Sequence, residues 1–91
     1  MKDFLKQLGI TLEGYENEDM RWIVPIPDSN EYGRVFSRLD NNTSIHEIPN
    51  EEDSFNFDKI SYESELYFID LYSDYDNEEY WLECYKKEDE L

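Results

Sequence analysis

The densest chemistry in the chain is carboxylate. The run Asp74-Tyr75-Asp76-Asn77-Glu78-Glu79 sets acids at alternate positions, which is how a loop wraps a divalent cation in oxygen ligands. The EF-hand pattern nevertheless fails twice: Glu79 stands where the sharp turn needs glycine, and Tyr85 stands where the last, bidentate Glu belongs. The run therefore reads as an acid-rich hairpin turn. Nucleophilic catalysis needs a nucleophile beside a base. The sole histidine, His46, sits next to Glu47 in an expected strand, and the sole thiol, Cys84, lies in an apolar strand where a small buried side chain is its expected role. Nothing in the spacing pairs the two. Carboxylate pairs can be drawn at will from 24 acids, so they single out no hydrolytic site, and 91 residues leave little material for a deep cleft. Gly9, Gly14 and Gly33 are scattered and form no phosphate loop. The expectation is a protein that is not an enzyme and uses no metal or cofactor.

What remains is the charge itself. The 24 acids face eight Lys and Arg, a formal net charge of −16. The excess is uneven: six acids against three bases in residues 1–30, seven against three in 31–60, and eleven against two in 61–91. Solubility alone accounts for a modest negative charge on a small domain. A folded body carrying −16 opposes its own compactness, which points to a positively charged partner. The same charge argues against direct nucleic-acid binding, whose affinity comes from Lys and Arg, and against anionic membrane surfaces. The start of the chain lacks the apolar core of a signal peptide, and no stretch approaches the ~20 apolar residues of a membrane helix. A single cysteine builds no disulfide framework. The expected location is cytoplasmic.

The elements that must position these acids can be read from apolar spacing. In residues 2–8, Phe4, Leu5 and Leu8 share a helical face, Gly9 suits a left-handed helix end, and Ile10 is placed for the accompanying apolar contact. Residues 11–16 read as a first strand and 16–19 as a turn. Residues 20–26 alternate Trp22, Val24 and Ile26 onto one face, with Pro25 demanding a strand edge or end. Residues 32–39 and 44–48 read as two strands of a hairpin turning through Asp40-Asn41-Asn42-Thr43. Residues 49–53 read as a loop. The strongest pattern is residues 64–72 followed by 79–87, each with apolar bulk on both faces, as central strands have. Residues 86–91 read as a solvated tail. The expected fold is one α+β domain over 1–91, a short N-terminal helix packed on a four- to six-stranded antiparallel sheet with the last hairpin central.

In its size, its acidity and its lack of catalytic residues the chain resembles the small phage-encoded inhibitors known as DNA mimics, among them uracil-DNA glycosylase inhibitors, restriction decoys and anti-CRISPR proteins. The resemblance is one of composition, and no motif carries a residue role across. Duplex DNA presents one negative charge per ~1.7 Å of axis, and Asp and Glu on strand edges and turns offer comparable spacing to a basic groove. The resemblance implies an anti-defence inhibitor that binds the basic surface of a nucleic-acid-binding enzyme. The alternative is an immunity protein or antitoxin against a basic toxin. The expected contact residues are Glu63, Glu65, Asp70, Asp74, Asp76, Glu78, Glu79 and Glu83, with Glu51, Glu52 and Asp53 as a second patch.

Overall fold

The computed structural model describes residues 2–49, 58–74 and 76–87. Elements follow as α1 (Lys2–Gln7), β1 (Tyr15–Glu16), β2 (Trp22–Ile26), α2 (Ser29–Asp40), β3 (His46–Ile48), β4 (Asp58–Glu63), β5 (Tyr67–Asp74) and β6 (Glu79–Lys86). The strands form a single six-stranded sheet in the order β1-β2-β6-β5-β4-β3, and every pairing is antiparallel. The fold is α+β, and the β5–β6 hairpin stands at the sheet centre.

Side chains directly opposite one another share a sheet face, so the register assigns the core. One row joins Val24, Leu82, Leu71 and Ile60 across four strands, and the next joins Trp22, Cys84, Ile69 and Tyr62. Val24, Leu82, Leu71, Ile69 and Cys84 are fully buried. Leu5 and Leu8 of α1, Ile10, and Val35 and Leu39 of α2 belong to the same cluster. Both helices therefore lie on this face. α1 ends as its sequence implies: Gly9 takes φ 86, its N–H donates to the Lys6 carbonyl at 3.0 Å, and that of Ile10 to the Leu5 carbonyl at 3.0 Å. Phe4 stacks on Tyr67 with ring centres 4.5 Å apart.

The segment 32–39 is helix rather than strand. Asp28 caps α2, its carboxylate accepting from the Glu31 N–H at 2.8 Å, and Tyr32, Val35, Phe36 and Leu39 recur at the three- and four-residue spacing of a helix. The expected hairpin through 40–43 is accordingly the end of α2, where the Asn41 N–H donates to the Ser37 carbonyl at 3.1 Å. β3 pairs with β4 instead. β4 itself follows an alternation of Lys59, Ser61 and Glu63 with Ile60 and Tyr62, and the β4–β5 turn is pinned by Ser64, whose hydroxyl accepts from the Tyr67 N–H at 3.0 Å. The first strand shrinks to Tyr15–Glu16, and Lys86 and Lys87 are ordered parts of the final strand and its end rather than tail. Pro25 lies beyond the reach of β1, which pairs only with Trp22 and Ile23, so β2 has the partial edge that Pro25 requires.

Two glycines are irreplaceable for different reasons. A Cβ on Gly9 would sit in the left-handed region and 3.1 Å from the Arg38 side chain, whereas one on Gly14 would meet the Ile23 carbonyl oxygen at 2.5 Å. Gly9→Ala is expected to cost about 1–2 kcal/mol, and Gly14→Ala about 3 kcal/mol because backbone must move, both read by urea denaturation. Burial pushes the Cys84 thiol up to about 12, and burial, followed by Glu47 and Asp40, pushes the Tyr62 hydroxyl up to about 12. The unfolded chain ionises both groups near their ordinary values of 9.0 and 10.0 while the folded protein keeps them neutral, so alkali favours unfolding. Stability is expected to fall as the pH rises from 9 towards 12. Iodoacetamide at about pH 8 should leave native Cys84 unmodified and label it only on unfolding.

Candidate functional site

The sheet face opposite the helices is lined by alternate residues of the same strands. β6 contributes Trp81, Glu83 and Tyr85, and β5 contributes Phe68, Asp70 and Tyr72, set directly across from them. No described helix covers this face, and rings on it pack against one another. Tyr72 and Trp81 stack at 4.9 Å with planes 8° apart, and Phe68 and Tyr85 meet at 5.4 Å. Cross-strand aromatic pairs of this kind stabilise a sheet by up to ~1 kcal/mol each.

Two acids sit among those rings. Asp70 and Glu83 face each other across the central ladder, and Arg21, just before β2, reaches over both. Its guanidinium donates to Glu83 at 3.2 Å, approaches Asp70 at 3.8 Å and lies 4.1 Å above the Tyr85 ring. Asp70 also accepts from the Ser61 hydroxyl at 2.8 Å, and Glu83 from the Trp81 indole N–H at 3.0 Å. Partial burial works against the Arg21 charge, but Glu83, Tyr85 and Asp70 more than offset it and raise its pKa. Burial, then Asp70 and Glu83, pushes the Tyr72 hydroxyl up to about 12, and burial with Asp70 raises that of Tyr85. At the end of the face Lys87 bridges to Glu63 at 3.0 Å and lies 5.1 Å from the Phe68 ring.

The acids singled out from sequence therefore divide. Asp70, buried, and Glu83, half-buried, belong to an ion network, and Glu63 is bridged by Lys87. Asp74 is buried and closes the β5–β6 turn, accepting from the Asn77 backbone N–H at 3.3 Å and side-chain amide at 2.9 Å. Asp76, Glu78 and Glu79 are exposed in that turn, with Glu78 at φ 53. Glu65 is exposed at the opposite end of the sheet; Glu51, Glu52 and Asp53 lie outside the described residues. The register adds two acids that spacing did not reveal. Asp58 pairs with Ser73, and Ser73 with Tyr80, whose other neighbour is Ile26, two residues before Asp28. Asp28, Asp58, Asp76, Glu78 and Glu79 thus gather at one end of the sheet, all exposed.

His46 and Cys84 cannot act together. His46 aligns through Glu63 and Phe68 with Tyr85, so it lies on the face opposite the helices, while Cys84 is buried beneath them. Three strand spacings of roughly 4.8 Å separate them by about 14 Å as well. Among the described residues no group of three His, Cys, Asp or Glu converges to hold a metal ion, and no helix is long and apolar enough to cross a membrane. A groove of about 790 Å³ runs between the end of α1 and α2, lined by Gly9, Ile10, Arg34, Arg38 and Asn41 among others. It contains none of the acids expected to make contact. The chain matches no protein-family model, no curated protein and no solved structure.

Sequence reasoning missed Arg21, because an isolated base before a strand carries no signal of the two acids it will meet. Arg21→Met should leave buried Asp70 and half-buried Glu83 without their cation and cost about 2 kcal/mol in urea denaturation. Arg21→Lys is expected to recover only part of that loss, since an ammonium lacks the planar fork and stacks poorly on Tyr85.

Proposed function

We propose that this protein is a small acidic inhibitor that occupies the basic, nucleic-acid-binding surface of a defence or DNA-processing enzyme and blocks it sterically. The observation that carries the reading is charge placement. A net charge of −16 is combined with exposed acids gathered from three separate chain segments at one end of the sheet. Of the described ion pairs, those of Arg21 and Lys87 lie on the sheet face away from this end, and that of Arg34 engages Glu31 beside Asp28. A carboxylate array of this kind meets a groove built for phosphates, and charge complementarity speeds its arrival. Binding by such a surface needs no catalytic residue on the inhibitor.

The test is capture of basic proteins on the immobilised chain at low salt, about 50 mM, followed by challenge with about 500 mM salt or with duplex DNA. A nucleic-acid-binding enzyme that is retained, released by either challenge and inhibited by the chain is the expected result. Replacing Asp58, Asp76, Glu78 and Glu79 by Lys should weaken that binding by roughly 100-fold or more. Asp74 stays in place in this variant because it holds the turn. A retained partner indifferent to DNA, or binding unchanged by the charge reversal, overturns the reading; a basic toxin so retained would make the chain an immunity protein instead.

A further inference from the structure

The groove between the end of α1 and α2 carries the opposite charge to the rest of the chain. Arg34, Arg38 and Asn41 stand four and three residues apart, so they line it from one side of α2. Glu31 is the only acid in the lining, and Arg34 holds it at 3.0 Å. Of the three arginines in the chain, Arg21 and Arg34 are paired with carboxylates, whereas Arg38 is bonded to none among the described residues. In a chain with 24 acids and eight bases, that is the exception. Arg38 is also held in place. Its side chain lies against Gly9, where a Cβ would stand 3.1 Å from Cδ, 3.2 Å from Nε and 3.4 Å from Cζ. Only the missing side chain of Gly9 lets the guanidinium come this close to the backbone. A cation in the last turn of α2 suits the negative end of that helix, but that role does not require it to reach across to α1. Leu8, Ile10 and Val35 add buried apolar side chains to the lining.

We propose that this groove binds a small organic anion, its carboxylate or phosphate held by Arg38 and its apolar body set against Leu8, Ile10 and Val35. A guanidinium presents a planar fork of donors to such oxygens. The volume of about 790 Å³ is that of a small-molecule site. Charge decides among the occupants. A basic partner of the kind drawn to the acidic end meets guanidinium here, with the one carboxylate already taken. A polyanion such as nucleic acid is repelled along its length by a chain of charge −16. A single anionic group needs only the local cation, because at physiological salt the field of more distant acids is screened over about 8 Å. The groove is separate from the acidic end, so the proposal goes beyond the inhibitor reading and does not rest on it.

The experiment is ¹⁵N chemical-shift mapping of the whole chain, titrated with phenyl phosphate and with hexanoate in about 0.15 M salt. Phenol and hexanol serve as the neutral counterparts, and inorganic phosphate as an anion without an apolar body. Shifts at Gly9, Ile10 and the Arg38 Nε–H are expected, with at least one acid binding roughly 10-fold or more tightly than its neutral counterpart. Binding of either acid supports the proposal, and the tighter of the two names the headgroup. Arg38→Gln should remove the preference for the acid while leaving the signals of Ile69 and Leu82 unchanged, and Arg38→Lys should restore part of it. Absence of shifts at these residues, equal binding of acid and neutral probes, or a preference that survives Arg38→Gln would overturn the proposal. So would inorganic phosphate binding as tightly as phenyl phosphate, or the groove responding to an oligothymidine or to concentration of the chain alone.

Discussion

The pairing of β5 with β6 is the constraint on which the rest of this molecule depends. Its register sets Ile69 against Cys84 and Leu71 against Leu82 on one face, and Asp70 against Glu83 on the other. A slip of one residue would turn the aliphatic row to solvent and drive two carboxylates beneath the helices. Burying each aliphatic side chain is worth roughly 1.5–3 kcal/mol, and burying an unpaired carboxylate costs more than any one of them returns. The alternation therefore has one viable register. β2 and β4 then add their own rows to the same face, and α1 and α2 close over it.

Having put two acids on the central strands, the fold must neutralise them, and it does so from outside the hairpin. Arg21 arrives from the β1–β2 side, Ser61 from β4, and the Trp81 indole from β6 itself. The result separates the acids of the chain into two populations. Asp70, Glu83, Glu63 and Asp74 hold structure, as ion-pair partners or a turn closure, while Asp28 caps a helix and is exposed as well. Asp58, Asp76, Glu78 and Glu79 face solvent at the hairpin end. Net charge counted from composition thus overstates how many carboxylates a partner can meet, and it says nothing of where they meet it.

Local signals were legible where one short stretch carried the whole instruction. The Gly9-Ile10 end of α1 is such a case, since both of its hydrogen bonds close within five residues. So is the last hairpin, whose apolar residues fall on both faces as central strands require. α2 was misread because its helical spacing of Tyr32, Val35 and Leu39 competes with β-branched and aromatic content, and the deciding Asp28 cap lies outside the apolar run. β4 was missed because its apolar residues are only Ile60 and Tyr62, held in place by β5 rather than by any preference of their own.

The sequence by itself determined the acidity, the α+β class, the N-terminal helix with its glycine end, and the central position of the final hairpin. These follow from composition and from periodicities that span a few residues, so no distant contact is needed to read them. Tertiary structure alone decided that His46 and Cys84 lie on opposite faces, that Arg21 belongs to Asp70 and Glu83, and that Asp28 and Asp58 join the acidic turn. Each of these depends on strand order and register between segments up to 62 residues apart. Such pairings are selected by the burial of whole rows of side chains, and no single stretch of sequence contains that information.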